Sequence, residues 1–160
     1  MAITKKQAAA LLAAYKKEQT KAANASIEAY NREVDTATAA EEREVAQRRQ
    51  KAAQTERAAY DTAAVQALID RHVIAEILAN RGLTQSGTAD GLREGVARRQ
   101  GVSTRRATAS KKATLSELSH RLVTARQNAA AKKAKNAASV NKSLAGKIAE
   151  KQLTLNKAAS

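Results

Sequence analysis

Proline, cysteine, tryptophan and phenylalanine are all missing from the 160 residues, and tyrosine occurs three times. Without cysteine there is no disulfide framework, no thiolate nucleophile or metal ligand, and no redox signal of compartment. Large aliphatics are scarce as well. Leu, Ile and Val together make up about 16% of the chain, below the roughly 20% at which highly charged chains usually fail to form a core. That argues against a self-sufficient globule. No apolar run approaches the roughly 18 residues of a membrane span. The basic, Ala-rich opening over residues 1–19 has no cleavage site and runs on in the same helical pattern, so it reads as structure and not as a targeting peptide.

What is present is the material of long helices. Alanine is the commonest residue, and Ala, Glu, Lys, Leu and Arg together make up more than half of the chain, the composition of long helices and coiled coils. No glycine precedes position 82, whereas Gly82, Gly87, Gly91, Gly95 and Gly101 follow in close succession. The expected fold is therefore all-α, elongated and coiled-coil-like, with two helical arms joined by a Gly-rich hinge and no compact core as a monomer. Its divisions are an assembly arm over 1–81, a turn or hinge over 82–101 and a basic arm or tail over 102–160. Thr4 with Gln7 fits a capping box at the start of the first arm. An unbroken helix from there to Arg81 would be about 117 Å long at 1.5 Å per residue. Thr114 with Glu117 repeats the capping signature before Leu115, Leu118 and Leu122, so helix is expected from about 114, with 103–113 either helical or a basic linker.

The apolar stripe of the first arm is sparse until Val65, then dense through Leu68, Ile69, Val73, Ile74, Ile77 and Leu78. This stretch is expected to be the best-packed part of the protein, and Val65, Leu68, Ile69, Val73 and Ile77 are its candidate assembly stripe. A fainter series joins Tyr15, Tyr30, Val45 and Tyr60 with Ala22, Ala37, Ala52 and Ala67. Its period is fifteen, or about 3.75 residues per turn, and a repeat longer than 3.6 favours straight or right-handed packing.

Charge is polarised along the chain. The net charge of +14 divides into +2 over residues 1–81, +1 over 82–101 and +11 over 102–160. Such asymmetry points to a polyanion, first of all nucleic acid. The candidate phosphate contacts are Arg98, Arg99, Arg105, Arg106, Lys111, Lys112, Lys132, Lys133, Lys135, Lys142 and Lys147. This arm has no aromatic to stack on bases and no zinc-finger or helix-turn-helix pattern, so contact would be to backbone and independent of sequence.

Catalytic and cofactor chemistry finds no support. His72 and His120 stand far apart in the sequence with no second ligand in register. The glycines lack the Lys-Ser or Lys-Thr of a phosphate loop. Glu76 stands in the dense stripe, where pairing with Asn80 or Arg71 is the expected role. No cofactor, metal or small-molecule substrate is expected.

Residues 71–87 look specified one by one. Gly82 fits a C-terminal cap needing positive φ, Leu83 can fold back on the last turn, and Ser86 and Gly87 supply turn chemistry. Arg71, Ala75, Glu76, Leu78, Ala79, Asn80, Gly82, Leu83, Thr84, Ser86 and Gly87 together give an AExLANxGLTxSG-type motif. It resembles a stretch found in small helical virion-associated structural proteins of tailed bacteriophages. The resemblance runs from Arg71 to Gly87, and Thr88, Ala89 and Asp90 depart from the family's usual continuation. It implies a non-enzymatic virion component made in the host cytoplasm, present in multiple copies and associated with portal, neck or other head proteins. With the basic arm, it suggests an internal head or ejection protein touching packaged DNA. Two further readings are a nucleoid-type DNA-binding protein and a capsid assembly scaffold.

Overall fold

A computed structural model of the chain describes residues 4–84 and 86–159. It contains two helices, α1 over Lys5–Asn80 and α2 over Gly87–Ala158, and no strand among the described residues. The all-α, two-helix architecture agrees with the sequence reading. α1 opens as expected: the Thr4 N–H donates to Gln7 Oε1 at 2.9 Å, and the Gln7 N–H donates to Thr4 Oγ1 at 3.3 Å. Two first-turn donors are thereby satisfied reciprocally.

α1 ends in a Schellman motif built on Gly82. The Leu83 N–H donates to Leu78 O at 2.9 Å and the Gly82 N–H to Ala79 O at 3.2 Å. Gly82 has φ +67°, the only positive φ among the described residues. No atom lies within 4 Å of where its Cβ would be, so the constraint at this position is backbone conformation and not space. Ser86 caps α2, its hydroxyl donating to Leu83 O at 2.9 Å and accepting from the Ala89 N–H at 3.4 Å.

The hinge is shorter than the glycine distribution suggests. Helix resumes at Gly87, so Gly91, Gly95 and Gly101 lie inside α2. A glycine costs a helix interior only about 1 kcal/mol relative to Ala, and three of them do not break a helix that has a partner to pack on. Residues 103–113 are helical too. Thr114, expected at a helix start, is mid-helix, its hydroxyl donating to Ser110 O.

The two helices contribute to two compact units, 1–42 with 123–160 and 43–122. In the first, Lys133 pairs with Asp35, Arg126 with Glu42, and Lys151 lies 5.6 Å from the Tyr15 ring centroid. The numbers descend on one segment as they rise on the other, so the segments are antiparallel. In the second unit Arg121 pairs with Glu44, Lys111 with Glu56 and Arg99 with Asp70, again antiparallel.

Burial follows an eleven-residue period. On α1, Ala23, Val34, Val45, Ala67 and Leu78 are buried, with half-buried Glu56 completing the series. On α2, Val96 and Leu118 are buried in one such series, with Ala107, Ala129, Val140 and Lys151 half-buried between and beyond them. Eleven residues in three turns is about 3.67 per turn, close to a straight helix and on the side opposite to the heptad. The fifteen-residue series is not the seam, since Ala22, Ala37 and Tyr60 are exposed. Both periods nevertheless exceed 3.6. The seam is built largely from alanine and valine, which lets helices approach closely while each buried side chain contributes little.

The dense aliphatic stretch is not the best-packed region. Val65, Leu68, Ile69, Val73 and Ile77 are between 44% and 63% exposed. Of the stretch, Leu78 is buried and Ile74 half-buried, and Ala63 and Ala67 fill the rest of the seam there. The stripe occupies the side of α1 away from the seam.

Candidate nucleic-acid interface

Folding redistributes the charge. The sequence concentrates it in 102–160, but antiparallel pairing mixes that arm with the first. The 1–42 and 123–160 unit has 14 basic and 7 acidic side chains, and the 43–122 unit has 15 and 8, so each carries +7.

Four of the eleven candidate phosphate contacts are engaged within the chain. Arg98 pairs with Glu94 and Arg99 with Asp70, both at 3.2 Å, while Lys111 pairs with Glu56 at 2.6 Å and Lys133 with Asp35. Lys111 and Lys133 lie at the seam, half-buried, and serve the helix pairing. Acidic residues of the first arm, close to charge-balanced by itself, neutralise them.

Arg105, Arg106, Lys112, Lys132, Lys135, Lys142 and Lys147 are exposed, with no hydrogen-bond or ion-pair partner among the described residues. These seven are what remains of the candidate set. Exposed cations also lie outside the sequence-derived set. Lys5, Lys6, Lys16, Lys17 and Lys21 are exposed on α1 and belong to the same unit as Lys132, Lys135, Lys142 and Lys147. The signal for them was the pairing of the first arm with the last, which a segment-by-segment charge count does not see.

The most enclosed ionic contact among the described residues is Glu56 with Lys111. The hydrogen bond from Lys111 holds the Glu56 carboxyl below its usual range, opposed by burial and aided by the Lys111 charge and the Thr108 and Tyr60 hydroxyls. Tyr60 and Thr108 hydrogen-bond to each other across the seam. A cavity of about 440 Å³ adjoins them, bounded by Arg48, Lys51, Glu56, Lys111 and Glu117 among others. It is an open trough in the seam, with its acid already bound to its lysine.

Glu76 does not reach Arg71 or Asn80; its carboxylate lies 3.7 Å from His72 Nε2, with both side chains exposed. No group of three His, Cys, Asp or Glu able to hold a metal occurs among the described residues. Neither helix is long and apolar enough over any stretch to cross a membrane. No family model, curated protein or solved structure matches the chain.

Proposed function

We propose that this chain is a non-enzymatic, oligomeric structural protein of a tailed-phage virion, located inside the head or at the portal and neck, whose surface cations contact packaged DNA without reading its sequence. The AExLANxGLTxSG resemblance supports the virion assignment. The observation that carries the DNA contact is the set of exposed cations left over after the ion pairs between the antiparallel segments are made. They include Lys132, Lys135, Lys142 and Lys147 with the lysines of residues 5–21 in one unit, and Arg105, Arg106 and Lys112 in the other. Phosphate contact needs such charges and nothing more, and the absence of aromatics from α2 leaves base stacking without a platform.

The test is binding of the full chain to duplexes of unrelated sequence across a salt series. Equal affinities are expected, with log K falling against log salt at a slope of about −5 if about six phosphates are neutralised. Changing Lys132, Lys135, Lys142 and Lys147 to Gln flattens the slope by roughly 0.9 for each phosphate no longer neutralised. Salt-independent binding, or none, overturns the DNA assignment. Mass spectrometry of mature particles against empty precursors tests the virion assignment, which requires retention in the infectious particle.

A further inference from the structure

The exposed aliphatics of α1 form one ridge. Val65, Ile69, Val73 and Ile77 follow each other at four-residue spacing, which on a helix is a continuous row drifting slowly around the axis. All four are 44% to 56% exposed. The next members of the row are Asp61 on one side and Arg81 on the other. Arg81 stays on the helical path, its N–H donating to Ile77 O at 3.2 Å. Both end residues are exposed, and neither has an ion-pair partner among the described residues.

The row therefore reads acid, four aliphatics, base. A row of that kind is complementary to itself in one direction only. Laid antiparallel on a second copy, it sets Val65 opposite Ile77, Ile69 opposite Val73, and Asp61 opposite Arg81 at both ends. Laid parallel, it sets Asp61 against Asp61 and Arg81 against Arg81, two like-charge contacts on a unit already carrying +7. Interfaces related by a two-fold axis have this property, with each residue's partner contacting it in return.

We propose that the Asp61 to Arg81 row is an isologous dimer interface, in which a second copy of this chain packs antiparallel with its two-fold axis level with residue 71. The proposal rests on the self-assembly part of the function given above and adds its surface, direction and register. The aliphatic ridges supply the association, interdigitating as rows of four-residue spacing do in helix packing. The two rim ion pairs contribute little affinity and select orientation.

The native chain has no cysteine, so cross-linking of the full chain reports register directly. Val65→Cys and Ile77→Cys variants, mixed and oxidised without DNA, should give the mixed 65–77 disulfide in preference to either like pair. Like pairs in excess would mean a parallel arrangement and overturn the proposal. Sedimentation equilibrium on variants lacking cysteine gives the second reading. Ile69→Asp should leave the chain monomeric with helicity unchanged. Asp61→Arg should weaken the dimer about tenfold by placing two arginines at each end. Combining Asp61→Arg with Arg81→Asp should restore it. A wild-type chain that stays monomeric at every concentration, or a double swap that fails to rescue, overturns the proposal. Duplex binding by the same variants is a separate measurement, so a failed DNA assignment and a failed dimer are told apart.

Discussion

The two compact units carry equal charge on equal lengths of chain, yet they spend their aliphatic side chains differently. The 43–122 unit has 15 Leu, Ile and Val residues and the other has 11. Only part of the surplus goes into the seam, as Val45, Leu78, Val96 and Leu118, while Val65, Leu68, Ile69, Val73 and Ile77 face outward. The 43–122 seam is held by small aliphatics and by polar ties, Lys111 with Glu56, Arg121 with Glu44, Arg99 with Asp70 and Arg49 with Ser119. The other unit buries fewer hydrophobic side chains, Ala8, Ala23, Val34 and Leu155, and carries a polar defect. Asn31 Oδ1 and Asn136 Nδ2 are buried without partners, each a loss of roughly 1 to 3 kcal/mol. Asn31 lies one turn from Asp35, and Asn136 three residues from its partner Lys133, so acceptor and donor sit at matching levels of the seam. The 43–122 unit thus has both the larger buried set, including Val45, Ala89 and Val96, and an aliphatic surface left to offer.

The comparison breaks most visibly at Leu118, 4% exposed in the 43–122 seam. Leu118→Ala should cost about 3 kcal/mol, read by urea unfolding, whereas Leu68→Ala on the outward face of the same unit should cost little in a dilute monomer. Equal losses would place the stripe in the core after all. Gly82→Val comes next, at about 2 kcal/mol for a β-branched side chain held at φ +67°. Gly91→Ala, inside α2, should instead stabilise by up to about 1 kcal/mol. Opposite signs in thermal melts separate a true turn glycine from a helical one.

In the 1–42 and 123–160 unit, replacing Asn31 and Asn136 together by Leu should stabilise by about 1 to 2 kcal/mol. Hydrogen exchange should slow across that unit and change little near residues 50–75. The smallest effect is that of pH. Glu56 has its folded pKa lowered by Lys111, so its contribution is fully present above the ordinary carboxylate value and is lost as pH falls through the lower folded value. Acidification below about pH 4 should weaken the 43–122 unit, and Glu56→Gln should remove that component of the acid limb.

Much of the fold was legible in the sequence because its determinants are local. The Thr4 and Gln7 cap and the Gly82 and Leu83 stop are short-range hydrogen-bond patterns, and helix between them follows from alanine and the lack of breakers. What was not legible depends on the partner segment. The glycines of 87–101 read as a hinge until α1 is seen to give them a helix to pack on. The charge of 102–160 reads as free until Glu56 and Asp35 of the other helix take up Lys111 and Lys133. The aliphatic stripe reads as interior because large side chains usually are, whereas here the alanines at 63 and 67 occupy the seam. Of the candidate site, the exposed lysines of α2 were found from charge runs alone, and those of residues 5–21 were hidden by the neutral average of their arm.

The eleven-residue period makes helix length a quantity that changes in steps. Inserting or deleting eleven residues returns every following side chain to its former face, and doing so at matching levels of both helices leaves seam and surface in register. The increment is about 16.5 Å of helix. A change of ten or twelve residues turns everything beyond it by about 100° and carries seam alanines to the outside. Ancestors and descendants of such a chain can therefore differ in helix length while keeping the same turn at Gly82, and the repeat functions as the graduation of a molecular ruler.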